Sequence, residues 1–543
     1  MNGAIRARGE KIFLIELSPS VPNLGRFIVM PRYGMLTIAS ILSERTDYDV
    51  SLLYEPYVGK IDIERIAREE PRFILVNGLT TTADDNERFF TRLRDRLGGS
   101  VAVIAGGEHA TMYPGDAKRY ADYLLAYEGD DTAIQLLSAL GESDPVSKDS
   151  LLSQIPGLHY RDLSGKWRFN QDPARVERID YRYDLSVIPG AESAGRRFRQ
   201  AHIPVQTSRG CRFCCSFCSW LGLYGKSGYY TRPAEDVLHD IVHAVEYAGV
   251  RNFIVTDNLF AGDPAYTEDL MHRILHAFER RGDKPVMTVL CRADQFAGGP
   301  ESLPEKTIRL MARAGVANVS LGLESISQRS LLQMRKKTDL QEYHAAAECL
   351  RRHGIGMLAT FVAGFDGDRY EDIVNIAEFG ERIGLFTVQI YARNINPGTV
   401  DELLSENRNI PGGLHKYRNG HGVHMFPARM LPSELQRGIF EASFRFHGRK
   451  DRKTALRAFR TIWASLRPHV EALARLEKEV LIPDGIYRLS GSRYQLHEKT
   501  LNALVDDRER YEAFAKRAGA IFLNAECPDA VRTFQPQAAH AIA

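Results

Sequence analysis

The chain has 543 residues, 44% hydrophobic and 26% charged, the balance of an ordinary globular protein and not of a disordered or fibrous one. At about 100–200 residues per domain, this length implies roughly three domains. Lys and Arg number 71 against 69 Asp and Glu, a net charge of +2, so no strong overall pull on nucleic acid is expected. The apolar stretch 12–17 is interrupted by Glu16 and is too short for a signal peptide. No run reaches the roughly 18 apolar residues of a membrane helix, so a cytoplasmic location is expected.

Residues 1–145 alternate short apolar runs with helical patterns. Strands are expected at 11–17, 50–54, 72–76, 101–105 and 123–126, and helices at 33–44 and 85–97. This βαβα rhythm predicts a parallel, doubly wound sheet. Ligands then sit outside the carboxyl ends of the strands, here 18–23, 78–82, 106–111 and 128–131. Residues 146–199, with Pro145 just before them and Pro156, Pro173 and Pro189 within, read as an irregular linker. A second alternation fills 200–400, with strand-like runs at 203–207, 252–256, 286–290, 318–321, 357–362 and 387–391. Six βα units in that span predict a partial (β/α)6 barrel, with site residues at the carboxyl ends of its strands. Residues 401–543 read as mainly helical. Ser433 to Gln436 is a plausible capping box for a helix through Phe446, and 454–479 is a second helix that Pro468 should kink.

There are seven cysteines, and four fall within the run SRGCRFCCSFCSW at 208–220. An odd count so clustered points to metal ligation and not to a secreted disulfide framework. Cys211, Cys215 and Cys218 have the spacing C-x3-C-x2-C, directly after the first barrel strand. Three soft thiolates on one loop suit an iron–sulfur cluster, three irons held and the fourth left open for a small chelating molecule. A structural zinc site would want four ligands; Cys214 is the one extra thiol at hand, and no second knuckle is present. Cys214 adjoins Cys215 and is read as a bystander.

The run RGC-x3-C-x2-C, with Phe217 before the last cysteine, resembles the signature of the radical S-adenosylmethionine superfamily. Later segments resemble that family in order: LCRAD at 290–294, VSLGLES at 319–325 followed by Met334, Lys336 and Lys337, FVAGF at 361–365, and NPGT at 396–399. The acidic residue usual after the fifth strand would be Asp366 or Asp368. The resemblance implies that Cys211, Cys215 and Cys218 hold a 4Fe–4S cluster whose open iron is chelated by S-adenosylmethionine. Phe217 would pack near the adenine, and Glu324 would accept from a ribose hydroxyl or orient a neighbour. Arg292 is a candidate partner for the methionine carboxylate, and Gly364 belongs to the cofactor pocket. Asp257 and Asn258 fall where the family places polar site residues. A structural ion pair remains the alternative for Glu324 and Arg292, and helix capping for Asp257 and Asn258.

The first domain resembles the cobalamin-binding module that precedes some of these barrels. The matching residues are PRYGML at 31–36, AGGEHATMYP at 105–114 with Gly106 and Gly107, and YEGD at 127–130, which departs from the usual GEGE at its first and last positions. D-x-H-x-x-G, the motif that supplies a histidine to cobalt elsewhere, is absent, and His109 is not in that context. A sheet that keeps the fold without a corrinoid remains the alternative.

The resemblance implies cobalamin-dependent methylation of an unactivated carbon, or phosphorus, centre of a secondary metabolite or lipid. A 5′-deoxyadenosyl radical and methylcobalamin would carry it, with electrons from an external flavodoxin- or ferredoxin-type donor. A radical oxidative cyclase or rearrangement enzyme is the alternative within the family, and a non-enzymatic corrinoid or iron sensor is a rival of another class. No catalytic residue is assigned. Tyr391, Asn394, His415, Tyr417, His421 and His424 are candidates to line the substrate region.

Overall fold

The computed structural model describes residues 9–20, 29–171, 179–198, 201–224, 228–411 and 422–526. The described residues fall into two compact units. The first takes those within Met1–Cys214, Cys218–Gly322 and Gln341–Leu358; the second takes Cys215–Phe217, Leu323–Leu340 and those within Ala359–Ala543.

The first unit opens with a seven-stranded sheet of β1 (Lys11–Glu16), β2 (Asp49–Tyr54), β3 (Phe73–Asn77), β4 (Ala102–Gly106), β5 (Tyr123–Leu125), β6 (Leu158–Arg161) and β7 (Trp167–Phe169), in the order β2-β1-β3-β4-β5-β6-β7. The first five strands pair in parallel. Both faces are covered, so these strands carry continuous apolar runs: Ile12 to Ile15 and Phe73 to Val76 are all buried.

The first part of the stretch expected to be an irregular linker is regular. Within 146–199 the chain forms most of helix Pro145–Leu152 and then β6 and β7, which extend the sheet with antiparallel pairing. The prolines misled because Pro145 stands in the first helical turn, where no N–H is needed. Asp144 caps that helix by accepting from the Ser147 N–H at 2.8 Å. The hairpin between β6 and β7 is tied by Asp162, which accepts from Ser164 N–H and Lys166 N–H.

The barrel sheet has the strands β8 (Ile203–Val205), β11 (Asn252–Val255), β12 (Val286–Cys291), β13 (Val316–Glu324), β14 (Gly356–Ala363) and β15 (Thr387–Ala392), in the order β15-β14-β13-β12-β11-β8. Between β8 and β11 the chain adds a short antiparallel pair, β9 (Ser208–Gly210) and β10 (Tyr229–Thr231). The β8–β11, β11–β12 and β12–β13 ladders are parallel. Amphipathic helices such as Ala234–Ala248 and Pro264–Phe278 bury one face each, and Asp263 caps the second. The fold class is therefore α/β, a doubly wound domain followed by a partial (β/α)6 barrel and a mainly helical tail.

In the second unit the tail is built from helices Pro432–Lys450, Arg452–Leu476, Glu498–Val505 and Arg508–Glu526, with an unexpected hairpin of β16 (Tyr487–Ser490) and β17 (Arg493–Leu496). The first of these helices starts one residue before the expected cap. Pro432 occupies the first turn, Glu434 accepts from the Leu431 N–H, and Ser433 is turned to Glu477 instead. Helix Arg452–Leu476 runs on past Pro468. Among the described residues no helix is long and apolar enough to cross a membrane.

Candidate cofactor sites

In the first unit, Cys211 follows β9 immediately and Cys218 precedes helix Ser219–Tyr224. Cys211, Cys215 and Cys218 are partly exposed, Cys214 is exposed, Cys291 and Cys349 are buried, and none of the six is disulfide-bonded. Cys527 lies outside the described residues. Unbridged, accessible thiols on one loop suit a cluster.

Asp257 does not cap a helix. It is fully buried and accepts from Thr207 N–H at 2.7 Å, from the Thr207 hydroxyl, and from Ser208 Oγ at 2.6 Å. Burial pushes its carboxyl up to about 6, opposed by those donors. It thus ties the start of the cysteine loop to the end of β11, while Asn258 is exposed. Gly210 has φ +97°, and a Cβ there would lie 2.0 Å from the Gly228 carbonyl oxygen, so only glycine fits. Arg292, at the end of β12, pairs with Asp294 at 2.6 Å and lies 3.7 Å over the Phe213 ring. Its fork is directed at a carboxylate of the protein itself.

A cleft of about 960 Å³, open mouth included, lies at the carboxyl ends of β1, β3, β4 and β5. Gly106, Gly107, Tyr33, Asn77 and residues 127–130 line it, together with Gln206, Arg209 and Trp220 from the segment that carries the cysteines. Gly107 has φ +88°, and an added Cβ would sit 2.3 Å from Asn77 Oδ1. That oxygen is buried without a hydrogen-bond partner. Tyr127, standing where the related motif has glycine, takes φ +64°. An apolar floor, bare glycine backbone and an unused acceptor fit a large flat group edged with amides, as a corrinoid is. His109 is not among the lining residues: it is buried, with Nδ1 3.3 Å from Thr80 Oγ1.

In the second unit, residues 215–217 are clasped by Ser216, whose N–H donates to Met334 O at 3.0 Å and whose hydroxyl donates to Gln333 O at 3.2 Å. Phe217 meets Phe365 edge-on at 6.0 Å. Glu324, the last residue of β13, has φ +67° and is 3.0 Å from Lys336 Nζ, both side chains buried. Arg335 and Lys337 on either side of Lys336 also take positive φ, so this turn holds strain where the cation is presented. Gly364 has φ +113°. Asp368, not Asp366, serves that turn, accepting from Gly364 N–H and Phe365 N–H, while Asp366 pairs with Arg408. Arg393, at the end of β15, is fully buried, 2.7 Å from Asp401 and over the Phe365 ring.

Tyr391 is pushed up to about 12 by burial and the Glu324 charge. Asn394 keeps a buried Oδ1 without a partner. His424 is buried against His469, centroids 4.7 Å apart. His415, Tyr417 and His421 lie outside the described residues.

Sequence reasoning missed Arg209, Gln206, Tyr33 and the Arg393–Asp401 pair. Arg209 had a signal, since it stands inside the cysteine motif. Tyr33 also had one, since it stands inside the 31–36 run that resembles the cobalamin module, whereas nothing in the spacing pointed to Gln206 or to the Arg393–Asp401 pair.

Residues 205–380 match the radical SAM superfamily and residues 28–137 match the B12 binding domain. An uncharacterised methyltransferase of Pyrococcus horikoshii is 26% identical over 71% of this chain and 81% of its own length. An anaerobic magnesium-protoporphyrin IX monomethyl ester cyclase of Synechocystis is 24% identical over 66% and 70%. The radical S-adenosylmethionine methyltransferase TsrM of Kitasatospora setae, solved with cobalamin and a 4Fe–4S cluster, shares the fold at TM-score 0.57 and 18% identity, over 75% of this chain and 80% of that one. With both domain matches, the cysteine triplet and the cleft in hand, the chain carries a radical SAM superfamily domain over residues 205–380, preceded by a B12 binding domain over residues 28–137.

Proposed function

We propose that the protein is a methyltransferase acting on an unactivated carbon, or phosphorus, centre of a small metabolite or lipid. The observation that carries the reading is in the first unit: Gln206, Arg209 and Trp220, from the segment bearing Cys211 and Cys218, line the same cleft as the corrinoid-domain residues Gly106 and Gly107. When bound, the cluster supplies the electron that cleaves S-adenosylmethionine, and the corrinoid supplies a transferable methyl group. The chain's own residues then position and insulate. Cys211, Cys215 and Cys218 hold the cluster, with electrons from a flavodoxin- or ferredoxin-type donor. Asp257 fixes the approach to Cys211 through Thr207 and Ser208. Glu324 and Lys336 present a buried carboxylate and ammonium suited to a zwitterionic amino acid and its ribose. The methyltransferase named among the relatives supports this reading.

The cyclase relative favours a second reading, radical oxidation without methyl transfer. Product counting separates them. Anaerobically reconstituted protein with a reductant should form S-adenosylhomocysteine and 5′-deoxyadenosine in equal amounts per turnover. Formation of 5′-deoxyadenosine alone would replace methylation with the oxidative reaction.

A further inference from the structure

Each of the three residues before Cys211 is held by a different partner. Ser208 donates to Asp257 at 2.6 Å, and Gly210 is pinched against the Gly228 carbonyl. Arg209, between them, reaches the cleft. It is 6% exposed, its Nη1 lies 3.0 Å from Glu128 Oε1, and Nη1 and Nη2 each lie 3.2 Å from an Asp130 oxygen. Its Nε donates to Gln206 Oε1 at 3.2 Å, and that oxygen also accepts from the Tyr33 hydroxyl at 2.6 Å. Tyr33, Glu128 and Asp130 all line the cleft.

One guanidinium therefore joins two walls of the cleft to a backbone two residues from a cluster thiol. The fork is planar and rigid, so its partners cannot slide without breaking hydrogen bonds. Breaking a buried ion pair leaves uncompensated charge, which is costly. The loop at 127–130 has little slack of its own, because Tyr127 already sits at positive φ with its N–H held by Thr111 Oγ1 at 3.0 Å. A displacement of that loop by a bound ligand is thus passed to β9 and not absorbed locally.

We propose that Arg209 is a positioning residue common to both cofactor sites, so that a corrinoid in the cleft and a cluster on the Cys211 loop each bind more tightly when the other is present. The coupling is reciprocal by thermodynamic linkage and is typically about 5–150-fold. It rests on the two cofactors and not on which reaction they serve.

The test measures hydroxocobalamin affinity on the full chain, with the cluster reconstituted and in the Cys211→Ala/Cys215→Ala/Cys218→Ala chain. The cluster-loaded chain should bind at least about fivefold more tightly. Hydroxocobalamin should in turn raise, by a similar factor, the equilibrium retention of cluster iron against a competing chelator. In Arg209→Gln both ratios should fall to about one, and Arg209→Lys, which keeps charge without the fork, should lie between. A merely structural arginine would weaken both affinities by a common factor and leave the ratios unchanged, which overturns the proposal. So does a wild-type ratio of one. Should Arg209→Gln not fold by circular dichroism, Asp130→Asn takes its place: ratios near one support the proposal and unchanged ratios overturn it. Wild-type protein that takes up no hydroxocobalamin overturns the cofactor assignment as well, whereas intact coupling without methyl transfer sinks only the reaction proposed above.

Discussion

The two units each hold a buried ion pair beside a candidate cofactor site, and the pairs are of opposite kinds. In the second unit Glu324 and Lys336 are 12 residues apart, on either side of the short helix Gln328–Gln333. In the first, Arg209 reaches Glu128 and Asp130 across 81 and 79 residues. The local pair belongs to a motif whose spacing can be recognised in a sequence. The distant one exists only because a Rossmann-like loop and a barrel loop fold against one cleft. Local pairs set the shape of one pocket; distant pairs make two pockets depend on each other.

The harshest way to break this comparison removes what the cysteine loop serves. Alanine at Cys211, Cys215 or Cys218 should take iron from about four per chain to near none, whereas Cys214→Ala should keep it, read by iron and sulfide assay. Retention of iron in the three single variants would reassign the ligands.

Next is the glycine backbone that lines the same cleft as Arg209. Gly107→Leu should abolish corrinoid retention, because its Cβ would meet Asn77 Oδ1 at 2.3 Å and its φ is +88°. The obstacle is thus a protein side chain and the backbone, not only the ligand. Gly106→Ala, whose Cβ would stand 3.5 Å from Leu125 O, should be tolerated, and the contrast is measurable by hydroxocobalamin uptake.

The local pair is tested at constant iron. A charged hydrogen bond is worth about 1.5–3 kcal/mol, so Glu324→Gln should slow 5′-deoxyadenosine formation roughly ten- to a hundredfold. Lys336→Met should act in the same direction. If Glu324→Gln runs at the wild-type rate, the pair is structural only; if iron is lost, it supports the cysteine loop.

Away from both pairs, burial holds His469 down to about 4 beside His424. The unfolded chain then binds more protons than the folded one between pH 6.5 and 4. Stability is therefore fully present above about pH 6.5 and is lost as pH falls toward 4, by on the order of 3 kcal/mol. His469→Leu should flatten that part of the pH–stability curve in denaturant titrations. An unchanged acid slope would show that His469 protonates in the folded protein as readily as in the unfolded chain, and that burial does not hold it neutral. The smallest effect is at Tyr127: glycine there relieves a strained φ of +64° but loosens the unfolded chain, so Tyr127→Gly should move thermal stability by under about 1 kcal/mol.

The chain order of the molecule was legible without coordinates. Period and run length placed the five parallel strands of the first sheet, where a strand buried on both faces is continuously apolar, and the six barrel strands, several of which alternate buried and half-exposed residues. The cysteine triplet was equally plain, since its three members lie within eight residues. The 146–199 stretch was not, because Pro145 looks the same in a linker and in the first turn of a helix. Nor was the assignment of Asp368 over Asp366, which is settled by two backbone N–H groups at Gly364 and Phe365. Asp257 turned inward to Thr207 and Ser208, a choice made by burial and not by its place after a strand. Sequence by itself determined the strands and the C-x3-C-x2-C spacing, because these depend on neighbours a few residues away. Tertiary structure alone decided that Arg209 meets Glu128 and Asp130 and that Asn77 faces Gly107, because those meetings are long-range consequences of how the first sheet and the cysteine segment pack.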